Sequence, residues 1–336
     1  MGGMKNIGEL VCPAGTPAAL RTAVDAGADA VYCGFRNATN ARNFPGLNFS
    51  PDELKAAVFY AHEKGAKVLL ALNTYPAAGG VDLWRDAAAL GANAGVDALI
   101  VADIGVAHYI AEKHPDIRLH LSVQAAASSA EAIRYYCEHF GVKRVVLPRI
   151  LTIPEIRTIR KEIPCEIETF IFGNHGLMVE GRCTLTNYLT GQSTNMDGVC
   201  SPASQVTYQQ EKDGRMSSCL GGFTIDWFEP NEKAGYPTIC KGRYTAPHRP
   251  EGYYAFEEPI GLNLSNLLGD LMEVGVHAFK IEGRQRSKSY VRSVVETFRQ
   301  AVDDIRAGVP PDLEKLSVLT EGQKQTQGAF QTKKWR

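Results

Sequence analysis

The sequence predicts a (β/α)8 TIM-like barrel with a long cysteine-bearing insertion between strands 7 and 8. Three observations lead there. Short apolar, β-rich runs alternate with amphipathic segments at the spacing of right-handed βαβ units, which build parallel sheets. Seven such runs come first, then one long irregular stretch, then an eighth. The 336 residues hold one barrel of about 250 residues with room for insertions. A doubly wound open sheet is the runner-up.

The first strand reads as Glu9–Pro13, with a helix over Pro17–Ala26. Ala30–Phe35 is the second strand, and Pro51–Lys64 the helix after it. Lys67–Asn73 is the third, followed by a helix over Val81–Asn93. Ala98–Asp103 and Arg118–Gln124 are the fourth and fifth, each with helical sequence behind it. Arg144–Arg149 and Glu166–Phe172 are the sixth and seventh. Ala278–Glu282 closes the barrel, and Lys288–Ile305 is its last helix. Residues 1–173 thus carry seven strands, and 174–259 form the insertion. Residues 260–311 close the barrel, and the polar tail 312–336 is expected to be extended or flexible.

Composition narrows the class. Hydrophobic residues make up 44% and charged residues 22%, as in ordinary globular chains. The net charge of −1 offers no strongly basic balance for nucleic acid or anionic membrane. The apolar runs are too short to span a bilayer, and Met1–Glu9 lacks the apolar core of a secretory signal. A cytoplasmic location is the expectation.

Such a compartment argues against disulfides among the eight cysteines. Cys12, Cys33 and Cys165 lie in apolar strand-like runs, as small buried hydrophobes do. Cys137 reads as a structural helix residue. Cys183, Cys200, Cys219 and Cys240 gather in the Gly-rich insertion. So long a connection without regular structure is unusual in a compact domain unless something staples it. No CxxC pair occurs, which argues against a zinc ribbon. Thiolates gathered from loops suit an iron–sulfur cluster or zinc equally.

Active sites of such barrels lie at the carboxyl ends of the strands. Those ends carry Arg42 and Asn43, Asn73, Asp103, Ser122 and Gln124, Arg149, then Lys280 and Glu282, with Glu168 along the seventh strand. Side chains two apart on a strand share a face, as Lys280 and Glu282 or Ser122 and Gln124 would. Arg42, Gln124 and Arg149 suit a carboxylate or a carbonyl-bearing ring. The bland alternatives are Asp103 as a helix N-cap and Lys280 with Glu282 as an ion pair. His62, His108, His114 and His139 fall on helices and read as surface residues. Neither GxSxG nor HExxH occurs, so no hydrolase motif is present.

The run from Glu168 to Thr186 resembles the signature of the peptidase U-32 family: E-x-F-x-x-G, a small residue, an aliphatic, C, four residues, G-x-C. Cys12-Pro-Ala-Gly15, Gly27-Ala-Asp-Ala-Val-Tyr32, Ser122-Val-Gln124 and Lys280-Ile-Glu-Gly-Arg284 extend the match. Its ubiquinone-synthesis branch is resembled further by Thr39–Phe44, Val145–Arg149, Gly198–Ala203, Ala234–Arg243 and the closing Thr320-Glu-Gly. The resemblance implies an iron–sulfur subunit of an oxygen-independent hydroxylase acting on an aromatic ring, most naturally a ubiquinone precursor. It implies a UbiV-like protein as heterodimer partner, a lipid-binding accessory protein and a prephenate-like hydroxyl donor. Other members hydroxylate RNA bases, and older members were named peptidases.

The same resemblance implies a 4Fe-4S cluster, with Cys183, Cys200 and Cys240 at three of the four ligand positions. The first position is Gly176 here. Either one iron is open, or Cys219 or His175 supplies the fourth ligand, or the cluster is lost and the chain is a non-catalytic partner.

Overall fold

The computed structural model describes residues 8–175, 184–192, 200–232, 234–319 and 324–331. Its first part runs β1 (Glu9–Pro13), α1 (Pro17–Asp25), β2 (Ala30–Gly34), α2 (Pro51–Glu63), β3 (Lys67–Leu72) and α3 (Asp82–Ala94). There follow β4 (Ala98–Val101), α4 (Ile104–Lys113), β5 (Arg118–Leu121), α5 (Ala130–Phe140), β6 (Arg144–Val146), α6 (Ile153–Glu162) and β7 (Glu166–Asn174). The insertion holds α7 (Thr184–Thr190), β8 (Val206–Gln210), β9 (Met216–Leu220), β10 (Phe223–Phe228), β11 (Arg243–Ala246) and β12 (Arg249–Tyr254). The chain ends with β13 (Ile260–Asn263), α8 (Leu268–Glu273), β14 (Ala278–Ile281), α9 (Lys288–Arg306), α10 (Glu314–Val318) and β15 (Lys324–Thr326).

Strands β1 to β7 pair in parallel in chain order, and β14 pairs with both β1 and β7. The barrel is therefore closed, as the alternation predicted. Helix starts are written locally. Ser50 and Glu53 form a capping box ahead of α2, and Thr152 and Glu155 do so ahead of α6. Thr16 caps α1. Asp103 accepts from Val106 N at 2.9 Å, so its helix-capping role is the observed one.

Two apolar clusters follow from the strand period of two. The larger fills the space between strands and helices, from Leu10 and Val31 to Phe279 and Phe298. The smaller lies inside the barrel: Val11, Ala30, Tyr32, Leu69, Ala98, Ile100 and Ala278. These come from β1 to β4 and β14. Strands β5, β6, β7 and β14 instead direct His120, Arg144, Glu168 and Lys280 inward. The interior is thus apolar on one side and ionic on the other.

The expected strands overran their ends. β4 stops at Val101 and β6 at Val146. β5 stops at Leu121, where Ser122 caps a 3-10 turn over Val123–Ala125 that ends in left-handed Ala126. In contrast, β7 extends to Asn174, because its last residues gain an antiparallel partner in β13. Within the insertion, β8, β9 and β10 form an antiparallel sheet, and β11 and β12 a hairpin. Two described parts of the tail dock on the barrel. β15 pairs with β13, Phe330 O accepts from Ile153 N, and the Phe330 side chain is buried.

Candidate functional site at the barrel mouth

At the floor, the amino ends of the strands assemble an ionic plug. The buried Arg144 guanidinium reaches Glu9 at 3.0 Å, Glu166 at 2.7 Å and Glu168 at 3.3 Å. Glu168, wholly buried, also accepts from Lys280 Nζ at 2.7 Å. The ammonium of Lys280 lies 3.9 Å from the centre of the Tyr32 ring. Burial pushes Lys280 down, and the Glu168 carboxylate resists the push. Beside them His120 takes a hydrogen bond from Arg118 Nε at 2.9 Å. Burial first, then Arg144, holds its pKa well below the usual imidazole value. Lys280 and Glu282 therefore do not pair. One neutralises the interior and the other faces the mouth.

At the mouth, Arg149 donates from Nη1 to Glu282 Oε2 at 3.2 Å and to Asn174 O at 2.8 Å. Its guanidinium carbon lies 4.7 Å from the centre of the Phe170 ring. Arg42 stands 3.6 Å from the other oxygen of Glu282. Burial alone would raise the Glu282 pKa, but Arg149 and Arg42 outweigh it and hold the carboxyl below its ordinary range. Arg284, missed as a candidate although its motif was noted, donates to Asn40 Oδ1 at 2.8 Å. Burial brings its pKa down to about 10, against the opposing pull of Tyr32.

The other expected residues fall around this group. Asn73 accepts from Ala41 N at 3.1 Å and donates to Ser122 Oγ at 3.3 Å, tying the Arg42 loop to the end of β5. Gln124 is buried, and its Oε1 has no hydrogen-bond partner among the described residues. Its main-chain oxygen accepts from Tyr75 Oη. Asn43 is half-buried in the Arg42 loop. His62, His108 and His139 are exposed as expected, whereas His114 is half-buried.

The insertion reaches the same mouth through Lys241, which donates to Asn174 Oδ1 at 3.1 Å and to Ile260 O at 2.9 Å. Burial lowers Lys241, and the neighbouring Cys240 thiol raises it. His175 follows Asn174, and burial with the nearby Arg149 and Lys241 charges takes it down to about 4. A neutral imidazole and a thiol beside a cation are therefore both at the barrel rim.

Cys200 and Cys240 are half-buried, and neither is in a disulfide. Tyr236 is near the first and Tyr244 near the second. Two such thiols with a neighbouring ammonium fit a thiolate-ligated group in donor chemistry. Cys183 and Gly176 lie outside the described residues. Among the described residues no three His, Cys, Asp or Glu converge as a metal site. Cys219 lies in central strand β9, paired with Thr207 and Thr224, with its thiol 3.8 Å from Thr224 Oγ1.

The model of Peptidase family U32 matches residues 15–333. The tRNA hydroxylation protein P of Escherichia coli (strain K12) is 32% identical over 328 residues, covering 93% of this chain and 71% of its own. The 23S rRNA 5-hydroxycytidine C2501 synthase of the same organism is 31% identical over 309 residues, covering 88% of this chain and 39% of its own. The solved structure of the U32 peptidase Mk0906 covers 85% of this chain and 97% of its own at 13% identity, with a TM-score of 0.51, which bears on the fold. Among the described residues no helix is long and apolar enough to cross a membrane. With the barrel closed and the family model spanning nearly its whole length, the chain belongs to Peptidase family U32.

Proposed function

We propose that this chain is an oxygen-independent hydroxylase, or the iron–sulfur subunit of one, that works on an aromatic ring at the barrel mouth. The observation that supports it is the cationic rim around a single carboxylate: Arg149 and Arg42 about Glu282, with Arg284 and Lys241 alongside. Hydroxylation proteins among the relatives supply the reaction class.

Each rim residue has a distinct task in this reading. Arg149 and Arg42 bind an anionic group of the substrate or hydroxyl donor, and Glu282 keeps both guanidiniums oriented meanwhile. Gln124 offers its unpartnered oxygen to a hydroxyl or N–H of the bound molecule. Asn73 and Asn43 shape the adjoining wall. Glu168 and Lys280 neutralise one another beneath the site and keep water out of the barrel. A 4Fe-4S cluster on Cys183, Cys200 and Cys240, its fourth position open or filled by His175, would supply electron transfer or Lewis acidity.

The leading substrate is a ubiquinone precursor, with a UbiV-like heterodimer partner, a lipid-binding accessory protein and a prephenate-like hydroxyl donor. The near-neutral charge favours a small ring over a polyanion. A second reading, hydroxylation of an RNA base, is favoured by the names of the relatives. The test is mass spectrometry of quinone intermediates and RNA nucleosides from a strain lacking this gene, complemented with wild type or Arg149→Ala. Loss of ring-hydroxylated quinone precursors, restored by wild type alone, supports the first reading, and loss of a hydroxylated nucleoside the second. No change in either pool overturns both.

A further inference from the structure

Side-chain hydroxyls in the insertion tie one cysteine segment to the next. Cys183 immediately precedes α7 in the chain. Thr186, wholly buried on that helix, donates from Oγ1 to Cys200 O at 3.2 Å. The carbonyl of the next residue, Ser201, accepts from Tyr236 Oη at 2.9 Å. Only Pro237, Thr238 and Ile239 separate Tyr236 from Cys240, so its phenol spans from the Cys240 segment to the Cys200 segment. Tyr208 on β8 donates from Oη to Gly235 O at 3.2 Å and steadies the start of that span. Cys240 itself lies in the 3-10 turn Ile239–Lys241. Its carbonyl accepts from Glu257 N at 3.1 Å, and Tyr244 Oη donates to Ile239 O at 2.6 Å.

A carbonyl held beside a cysteine fixes the peptide plane that flanks its Cα, and with it the direction in which the side chain sets out. Thiolates gathered from separate loops repel one another, and ordering those loops costs entropy. Loops already joined by neutral hydrogen bonds are ordered in advance, so less entropy is lost when a metal group enters. The two bridging hydroxyls differ in setting. Thr186 and Ser201 are buried, whereas the Tyr236 ring is exposed and only its hydroxyl reaches inward to Ser201 O.

We propose that Thr186 and Tyr236 are positioning residues for a thiolate-ligated iron–sulfur cluster, holding the segments of Cys183, Cys200 and Cys240 together. The proposal rests on the cluster reading given above and adds which residues retain the cluster. Thr186 joins the helix after Cys183 to the main chain of Cys200. Tyr236 joins the neighbour of Cys200 to the segment leading into Cys240. Removing either hydroxyl frees one cysteine segment from another, so one thiolate ligand is held less firmly and iron leaves more readily.

The test uses full-length protein purified without oxygen: wild type, Thr186→Val, Thr186→Ser, Tyr236→Phe and Thr190→Val. Thr190 donates from Oγ1 to Thr186 O within α7 at 2.8 Å, so its loss loosens the helix without removing a bond between cysteine segments. Iron is followed as it passes to a colorimetric ferrous chelator under anaerobic conditions. Thr186→Val and Tyr236→Phe are expected to release it about tenfold faster than wild type, the scale on which outer-shell partners act on metal sites. Thr186→Ser, which keeps the hydroxyl, and Thr190→Val should stay near the wild-type rate. Iron already lost from Thr186→Val or Tyr236→Phe on purification, with Thr190→Val still loaded, supports the proposal equally. A wild-type rate in either variant overturns the role of that residue. Equally fast release from Thr190→Val overturns both roles, because the effect is then a general loosening of the insertion. Wild type without iron sinks the cluster reading and this proposal with it, whereas iron-loaded wild type beside unaffected variants sinks the positioning roles alone. Tyr236→Phe, altered only at an exposed ring, decides the matter even if a Thr186 variant folds poorly.

Discussion

Arg149 and Glu282 meet at 3.2 Å across the barrel mouth, one from just beyond the sixth strand and the other from just past the eighth. Separated by 133 positions in the chain, they become neighbours only because β14 closes against β7. The same guanidinium stacks on Phe170 and holds Asn174 O. Cation, ring and carboxylate therefore stand or fall together.

Arg149→Ala is expected to cost about 2–3 kcal/mol at neutral pH, since it leaves a mostly buried carboxylate with only the longer contact to Arg42. Arg149→Lys should recover only part of this, because an ammonium carries the charge but not the planar face that lies over the Phe170 ring. Glu282 has a lowered folded pKa, so its contribution is present above the ordinary carboxylate range and is lost as pH falls through the folded value. Urea titrations of both proteins across acidic pH should show the gap between wild type and Arg149→Ala narrowing toward low pH.

Lys280→Met strands Glu168 inside the barrel, with Arg144 at 3.3 Å as its remaining cation. A loss of about 3–5 kcal/mol is expected. Adding Glu168→Gln should return much of it, since the uncompensated charge is removed. Chemical denaturation of the two single variants and the double measures the coupling. Additive effects would contradict the contact.

His120 and His277 both have pKa values lowered chiefly by burial. Ile167 N donates to His277 Nδ1 at 3.2 Å, a bond that requires an unprotonated nitrogen. An imidazole with a depressed folded pKa takes its proton more readily in the unfolded chain. Stability is therefore full above about pH 6.5 and falls below it, by up to about 1.4 kcal/mol per pH unit for each group. His277→Gln should flatten that slope in thermal melts between pH 7 and pH 5.

Gly15→Ala is expected to destabilise by about 2–3 kcal/mol. A Cβ there would occupy the position of the Arg284 main-chain carbonyl, and Gly15 O already accepts from Asn48 N at 2.6 Å. The Cys-Pro-Ala-Gly and Lys-Ile-Glu-Gly-Arg segments touch at this point, so the variant should also loosen Arg284. A lowered melting midpoint with an unchanged far-UV spectrum would bear this out.

Iron and acid-labile sulfide, measured on protein purified without oxygen, test the proposed cluster. About four irons per chain are expected, lost in Cys183→Ala, Cys200→Ala and Cys240→Ala and retained in Cys219→Ala, whose thiol is held within β9. Retention in His175→Ala would favour an open iron. Loss there would make the imidazole the fourth ligand. No iron in any preparation would leave a non-catalytic partner subunit.

The barrel itself was legible in the sequence because its signals are local. Alternating apolar positions make strands, amphipathic periods make helices, and capping boxes such as Ser50 with Glu53 sit beside the helices they start. The candidates Arg42, Asn73, Gln124, Arg149 and Glu282 were readable for the same reason, since a strand's end is a local property and its end faces the mouth. Pairings were not local. Lys280 met Glu168 rather than Glu282 because alternate side chains on one strand lie at different depths in a barrel, and depth is set by register with neighbouring strands. Arg284 and Lys241 escaped detection because each depends on where a distant segment docks. Chain order determined the architecture, and closure of β14 onto β7 decided which charges are neutralised inside and which remain at the rim, because a buried charge persists only where the fold brings it a partner.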